Sequence, residues 1–211
     1  MSRRERRAEM ARRIDAELGP FPRSFLHAIE VVPRERFVRF EDEARAEVDA
    51  PLPLDDAGAA TVSAPHAYLL SYRLVDLREG DRVLELGSGS GYGAALAAEI
   101  VGPRGSVVTV EIDEALAARA AALLAERPNV RALRADAAHA TGRFEDRNKI
   151  VCAFAVDELP AAWIDALRPG AVLVAPVGGT TQTLVRAERD ASGELTVTRH
   201  GAVRYVRMRV S

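Results

Sequence analysis

Up to about residue 80 the apolar positions of this chain recur at helical spacing. They predict helices over 3–18 and 23–31, broken at Gly19-Pro20-Phe21-Pro22. Residues 47–62 are rich in turn formers (Pro51, Pro53, Asp55, Asp56, Gly58) and predict a connecting loop, with a helix over 64–77 that Glu79-Gly80 ends. From Arg82 onward short apolar runs alternate with helical patterns. Strands are predicted at 82–86, 106–110, 130–134, 149–154 and 171–176. Between them fall an alanine-rich helix over 90–101 stopped by Gly102-Pro103, a helix over 113–126 capped by Asp113, and a helix that Pro160 opens and Gly170 stops. The tail changes character. Runs at 183–189 and 194–199 flank Asp190-Ala191-Ser192-Gly193 as a hairpin, and Val206, Met208 and Val210 alternate with Arg207 and Arg209 as a half-exposed strand. The expected fold class is α/β: a doubly wound, mostly parallel Rossmann-like sheet with helices on both faces, a helical N-terminal extension and antiparallel C-terminal strands.

The length of 211 residues fits one domain, 1–211, with a helical N-terminal region (1–80) over a nucleotide-binding core (81–211). Such a chain buries roughly 70% of its unfolded surface. At 48% hydrophobic residues, its core requires no metal or disulfide support. The single cysteine, Cys152, sits in an apolar run. No apolar stretch approaches the ~20 residues of a membrane span, and residues 1–13 carry Arg and Glu rather than the apolar block of a secretory signal. A cytoplasmic protein, off the membrane, is expected. With 29 basic and 31 acidic residues the chain has no overall footprint for nucleic acid. Lys149 is the only lysine. The one basic cluster (Arg3, Arg4, Arg6, Arg7, Arg12, Arg13) interleaves with Glu5 and Glu9 at helical spacing, so a solvated helix face is favoured over an RNA-binding arm. His27, His139 and His200 lack metal-ligand spacing, and no metal is expected.

The run from Val83 to Tyr92 leaves a strand and enters a helix through Gly87, Ser88, Gly89 and Gly91. Glycines there let a ligand approach the backbone, and a helix start offers free N–H groups. Gly89, Gly91 and Ala94 also match a dinucleotide fingerprint, and Glu111, about 20 positions on, could bind ribose hydroxyls of either ligand. Charge separates the two. Glu85 just before Gly87 would repel a pyrophosphate but attract the ammonium and sulfonium of S-adenosyl-L-methionine. At ~4 Å and an effective dielectric of ~20, that Coulomb contact is worth ~4 kcal/mol before desolvation. Asp136 after the third strand adds a further acid on that side, so the methyl donor is the expected cofactor.

Several blocks then resemble the protein-L-isoaspartate O-methyltransferase family. They are Val32-Pro33-Arg34-Glu35-Arg36-Phe37-Val38, Asp49-Ala50-Pro51-Leu52-Pro53-Leu54, Thr61-Val62-Ser63-Ala64-Pro65-His66, the glycine loop, Glu158-Leu159-Pro160, Leu167-Arg168-Pro169-Gly170, Pro176-Val177-Gly178-Gly179, Gln182 and the closing stretch 203–208. The resemblance covers about 20–210. It implies a repair enzyme with a Rossmann-like methyltransferase sheet that esterifies the α-carboxylate of isoaspartyl residues in damaged proteins, so that the ester closes to a succinimide. It implies Ser63 as the active-site hydroxyl, with Thr61, Val62 and His66 beside it where cofactor and substrate meet. Glu85, Gly87, Ser88, Gly89 and Gly91 would hold the methionine part of the cofactor, Glu111 and Ile112 the ribose, and Asp136 and Ala137 the adenine side. The partner implied is a protein or peptide bearing isoaspartyl or aspartyl, and a monomer is expected.

The local readings of the same residues stay open beside this. Ser63 could be the N-cap of the helix that Pro65 opens. His66 could be a surface residue at that helix start and Asp136 an ordinary turn residue, while Trp163 and Phe154 read as core. The acceptor half also departs from the family. Asn148 stands where an aspartate is usual, and Ala153-Phe154-Ala155-Val156 replaces a run of small residues, which would narrow a peptide groove. Ala135-Asp136-Ala137 lacks the usual glycines, and Pro169-Gly170-Ala171 lacks the second glycine. These departures keep two further functions in play, an aspartyl methyltransferase dedicated to one peptide and a small-molecule methyltransferase. A non-catalytic S-adenosyl-L-methionine-binding protein is a third, distinguished by tight cofactor binding without turnover.

Overall fold

The structure is a computed structural model and describes residues 1–208. Helix α1 (Arg3–Leu18) opens with a capping box in which the Ser2 hydroxyl accepts from Glu5 N and the Glu5 carboxylate accepts from Ser2 N. It packs on α2 (Arg23–Val31). The basic cluster is consumed locally. Arg4 pairs with Glu30, Arg3 and Arg6 with Glu47, and the buried Arg7 with Glu35. The turn-rich segment is not a plain loop, because β1 (Leu52–Pro53) and β2 (Thr61–Val62) pair antiparallel within it. Helix α3 (Pro65–Leu74) stops earlier than its apolar pattern suggests, where Asp76 takes a left-handed φ of 53°.

The main sheet comprises β3 (Arg82–Leu86), β4 (Ser106–Glu111), β5 (Val130–Arg134), β6 (Lys149–Cys152), β7 (Ala171–Val177), β8 (Gln182–Arg189) and β9 (Leu195–Val203). Their order is β5-β4-β3-β6-β7-β8-β9, with the first five parallel and the last two antiparallel. The crossover helices are α4 (Tyr92–Val101), α5 (Glu114–Leu124) and the short α6 (Ala161–Ala166). Asp113 caps α5 by accepting from Leu116 N at 3.0 Å. Asn148 closes the strand starts, accepting from Arg82 N and donating to Asp81.

Period-two alternation sends Val83, Val107, Val151 and Val172 to one core with Phe25, Leu69 and Leu96, while Leu84, Leu86, Val110 and Leu173 enter the other with Phe144 and Trp163. The N-terminal helices therefore share a core with the sheet. Among the described residues no helix is long and apolar enough to cross a membrane.

The tail differs from the strand expected for it. After β9 the chain is extended and crosses to the end of β6, pairing in parallel with Ala155 through Arg207. Val206 O accepts from Ala155 N at 2.7 Å, and Met208 N donates to Ala155 O at 2.9 Å. Val210 lies outside the described residues. The strand order reverses between β3 and β6, and this arrangement places a crevice beyond the carboxyl ends of the parallel strands, where ligands of open α/β sheets bind.

Candidate active site

The glycine loop after β3 is tied down on its sheet side. Gly87 N and Ser88 N both donate to Val110 O at 2.9 and 3.0 Å, and Gly89 N donates to Glu111 Oε2 at 2.8 Å. Gly87 adopts φ 89°, where a Cβ would stand 2.7 Å from the Phe154 ring. The loop, the ends of β4 and β5, the hairpin residues Ala59, Ala60 and Thr61, and the tail enclose an open cavity of about 700 Å³. The Ser88 hydroxyl is buried without a hydrogen-bond partner.

Glu111 ends β4 inside this cavity. Besides the Gly89 contact, its other oxygen accepts from Ile112 N and Asp113 N, so three backbone N–H groups fix the carboxylate. Asp136 follows β5 and accepts from Ala138 N at 2.8 Å, starting a short turn over Ala137–His139. It is thus a turn residue that also lines the cavity.

On the opposite wall, pairing of Leu52 with Val62 and Pro53 with Thr61 delivers Thr61 and Ser63 to the rim. Ser63 is held by its backbone. Its N–H donates to the Tyr68 hydroxyl at 3.2 Å, and its carbonyl accepts from Arg34 at 3.1 Å. Arg34 is fully buried and also donates to the carbonyls of Ala46, Val48 and Ala50. A guanidinium satisfies this many carbonyls because its donors form a fixed fork; burial nevertheless pulls its pKa down. Thr61, Ser63 and Val206 also line a second, open groove of about 1300 Å³ formed with Pro51, His66, Leu70, Arg204 and Tyr205. Tyr205 is fixed there by Gln182, which accepts from Tyr205 N and donates to Tyr205 O.

Of the residues expected at the site, Thr61, Ser63, Gly87, Ser88, Gly89, Glu111, Ile112, Asp136 and Ala137 line the cavity, whereas Val62, His66, Glu85 and Gly91 do not. Val62 alternates inward into the core. His66 faces the groove and bonds Asp49 at 2.8 Å, a contact that raises its pKa. Gly91 is the N-cap of α4 with φ 92°, and a Cβ there would also meet Leu124 at 2.8 Å, so backbone conformation together with packing calls for glycine.

Glu85 corrects the charge argument. Its carboxylate lies beneath the loop on the α4 face, accepting at 2.6 Å from Thr109, its register partner on β4. Burial pushes its pKa up to about 8, with the Thr109 bond opposing and Glu111 reinforcing the rise. Glu85 therefore sits behind the loop rather than on the cavity wall. The N-cap reading of Ser63 fails as well: Ala64 occupies that position without a side-chain bond, and Asp49 accepts from His66 N in the first turn. Trp163 is core, donating to Ala137 O, but Phe154 is half-buried against it and lines the cavity. Val156 is buried and pairs with Val177, and neither replacement lines the groove.

Sequence reasoning missed Tyr68, Arg34 and Arg207 at the site. Phe154 alone carried a signal, as a bulky residue at a strand end. Arg34 and Arg207 reach the site through contacts between segments distant in sequence, whereas Tyr68 comes from the helix that directly follows Ser63.

A model of the protein-L-isoaspartate(D-aspartate) O-methyltransferase family matches residues 22–210. A protein-L-isoaspartate O-methyltransferase 2 of Archaeoglobus fulgidus is 39% identical over 97% of this chain and 93% of its own length. One of Methanosarcina mazei is 36% identical over 87% of this chain and 75% of its own. Among solved structures, a protein-L-isoaspartate O-methyltransferase superposes with a TM-score of 0.85 at 24% identity, covering 97% of this chain; this chain spans 65% of that one. A putative Plasmodium falciparum protein-L-isoaspartate O-methyltransferase in complex with S-adenosyl-L-homocysteine gives 0.82 at 19% identity, covering 96% and 98%. At these identities the two structures establish the fold.

Proposed function

We propose, from the premise that the chain belongs to the protein-L-isoaspartate(D-aspartate) O-methyltransferase family, that it esterifies the α-carboxylate of isoaspartyl residues in damaged proteins, with S-adenosyl-L-methionine as methyl donor. The cavity fits that cofactor. The buried Ser88 hydroxyl on its wall lacks any protein partner. The cradle glycine Gly87 has no room for a side chain. Gly87, Ser88 and Gly89 would hold the amino-acid end, Glu111 and Ile112 the ribose, and Asp136 and Ala137 the adenine. When bound, the cofactor supplies a methyl group activated on a sulfonium.

The observation that carries the reading is the shared wall. Thr61 and Ser63 line both the cofactor cavity and the open groove, so a peptide in the groove can present a carboxylate to the cavity at Ser63. The carboxylate, with a reference pKa of ~3.9, is already ionised at neutral pH and needs no general base. With the cofactor bound, one carboxylate oxygen would take the methyl group and the departing thioether would keep the carbon–sulfur electron pair, so no residue of the chain has to move a proton. Ser63 donates a hydrogen bond to the second oxygen, and the chain's contribution is alignment and exclusion of water. The ester then closes to a succinimide outside the reaction that the protein performs.

An open groove favours a peptide over a small molecule. We place the reaction in the cytoplasm with the protein as a monomer. The one cysteine, Cys152, is a free buried thiol, in keeping with a chain that uses no disulfide. The test is transfer of a radiolabelled methyl group to matched isoaspartyl and aspartyl peptides. Base-labile label on the isoaspartyl peptide alone is the expected result; label on neither, with cofactor still binding, would point to a single dedicated acceptor.

A further inference from the structure

The cavity is electrically polarised. Glu111 and Asp136 supply acids at the ends of β4 and β5, while Arg207 is the only cationic side chain lining it among the described residues. Arg207 sits where the tail crosses the end of β6, one residue after Val206, which lines cavity and groove alike. Its guanidinium bonds Asp157, on the loop after β6, at 2.5 Å, and both side chains are largely exposed. Asp157 itself does not line the cavity. A surface pair of this kind contributes little and exchanges readily.

We infer that Arg207 is the acceptor-carboxylate receptor of this protein, and that Asp157 occupies its guanidinium until an isoaspartyl carboxylate of the substrate replaces it. The inference rests on the reaction proposed above. A guanidinium takes a carboxylate through two parallel N–H···O bonds or through one, leaving the other oxygen free to receive the methyl. The methyl ester is neutral and cannot compete with Asp157, so the same exchange expels the product. Charge on the carboxylate falls as the new bond forms, which makes this contact stronger with substrate than with the transition state. Arg207 therefore acts on KM far more than on kcat.

The experiment measures binding of a fluorescent isoaspartyl peptide and of its methyl ester in the presence of S-adenosyl-L-homocysteine, alongside steady-state kinetics. Arg207→Gln should weaken the carboxylate peptide roughly tenfold, as for a half-exposed charge-assisted bond, and leave the ester unchanged. KM should rise similarly with kcat within about twofold, and Arg207→Lys should recover part of the loss. Asp157→Asn should tighten the carboxylate peptide roughly two- to fivefold by removing the competitor. An unchanged carboxylate-to-ester ratio in Arg207→Gln, or Asp157→Asn weakening binding as Arg207→Gln does, overturns the inference and leaves the proposed reaction standing. Arg207-dependent carboxylate binding without methyl transfer supports the inference and removes the reaction. A wild-type protein that binds no isoaspartyl peptide overturns both.

Discussion

Replacing Glu85 by Gln should change how stability depends on pH. The carboxyl is fully enclosed between Thr109 and the start of α4, and a Cβ on Gly93 would collide with it, so no room exists for solvating water. Its pKa stands at about 8 in the folded chain against an ordinary 4.5. Between those values the unfolded chain has lost the proton and the native chain retains it. The unfolded state binds fewer protons, so stability falls as pH rises through that window, by up to about 1.4 kcal/mol per pH unit. The full interval comes to about 5 kcal/mol as an upper bound. From pH 5.5 to 7.5 the loss approaches about 3 kcal/mol, or roughly 6–10 °C in Tm for a chain of this size. Gln cannot ionise, and its amide can still meet the Thr109 hydroxyl. Whatever constant cost the substitution carries cancels when slopes are compared. Thermal melts of both proteins from pH 5 to 9 should therefore show wild type losing Tm relative to Glu85→Gln as pH rises. A constant difference across that range would mean that Glu85 ionises near its ordinary value, and the burial argument would be wrong.

Three further outcomes are expected. Ser63→Ala should lower methyl transfer roughly 10- to 100-fold, the worth of a hydrogen bond to a charged group, while cofactor affinity measured by calorimetry stays within a few fold; unchanged turnover would remove Ser63 from the site. Gly87→Ala sets a Cβ 2.7 Å from the Phe154 ring at a positive φ and should cost about 1–3 kcal/mol of stability together with at least tenfold in cofactor affinity. Adding Phe154→Ala should restore part of the affinity, and no restoration would show that the ring is not the obstacle. Arg34→Met leaves four backbone carbonyls without their buried donor and should cost roughly 3 kcal/mol or more, seen as a lower denaturation midpoint; a near-neutral result would contradict the role given to Arg34 in fixing Ser63.

The sequence by itself determined the elements and their class. The bounds of α1, α2, β3 and β5 follow from periodicity and from punctuation such as Gly19-Pro20, because helical and strand periods are local properties of the chain. The glycine loop, Glu111 and Asp136 were legible for the same reason: they sit at strand ends, and strand ends of a parallel sheet converge. Tertiary structure alone decided which way a side chain at such an end faces. Glu85 and Gly87 are two residues apart, yet the carboxylate packs under α4 while the glycine opens on the cavity, since the backbone turns to a positive φ between strand and helix. It also decided what Ser63 is. Its neighbours Arg34 and the Val206 crossing come from segments far from it in the chain, while Tyr68 comes from the helix that directly follows it. The cap that a local reading assigned to Ser63 belongs to Asp49, fourteen positions earlier in the chain. Contacts between segments distant in sequence depend on how whole elements pack, and no local pattern carries that information.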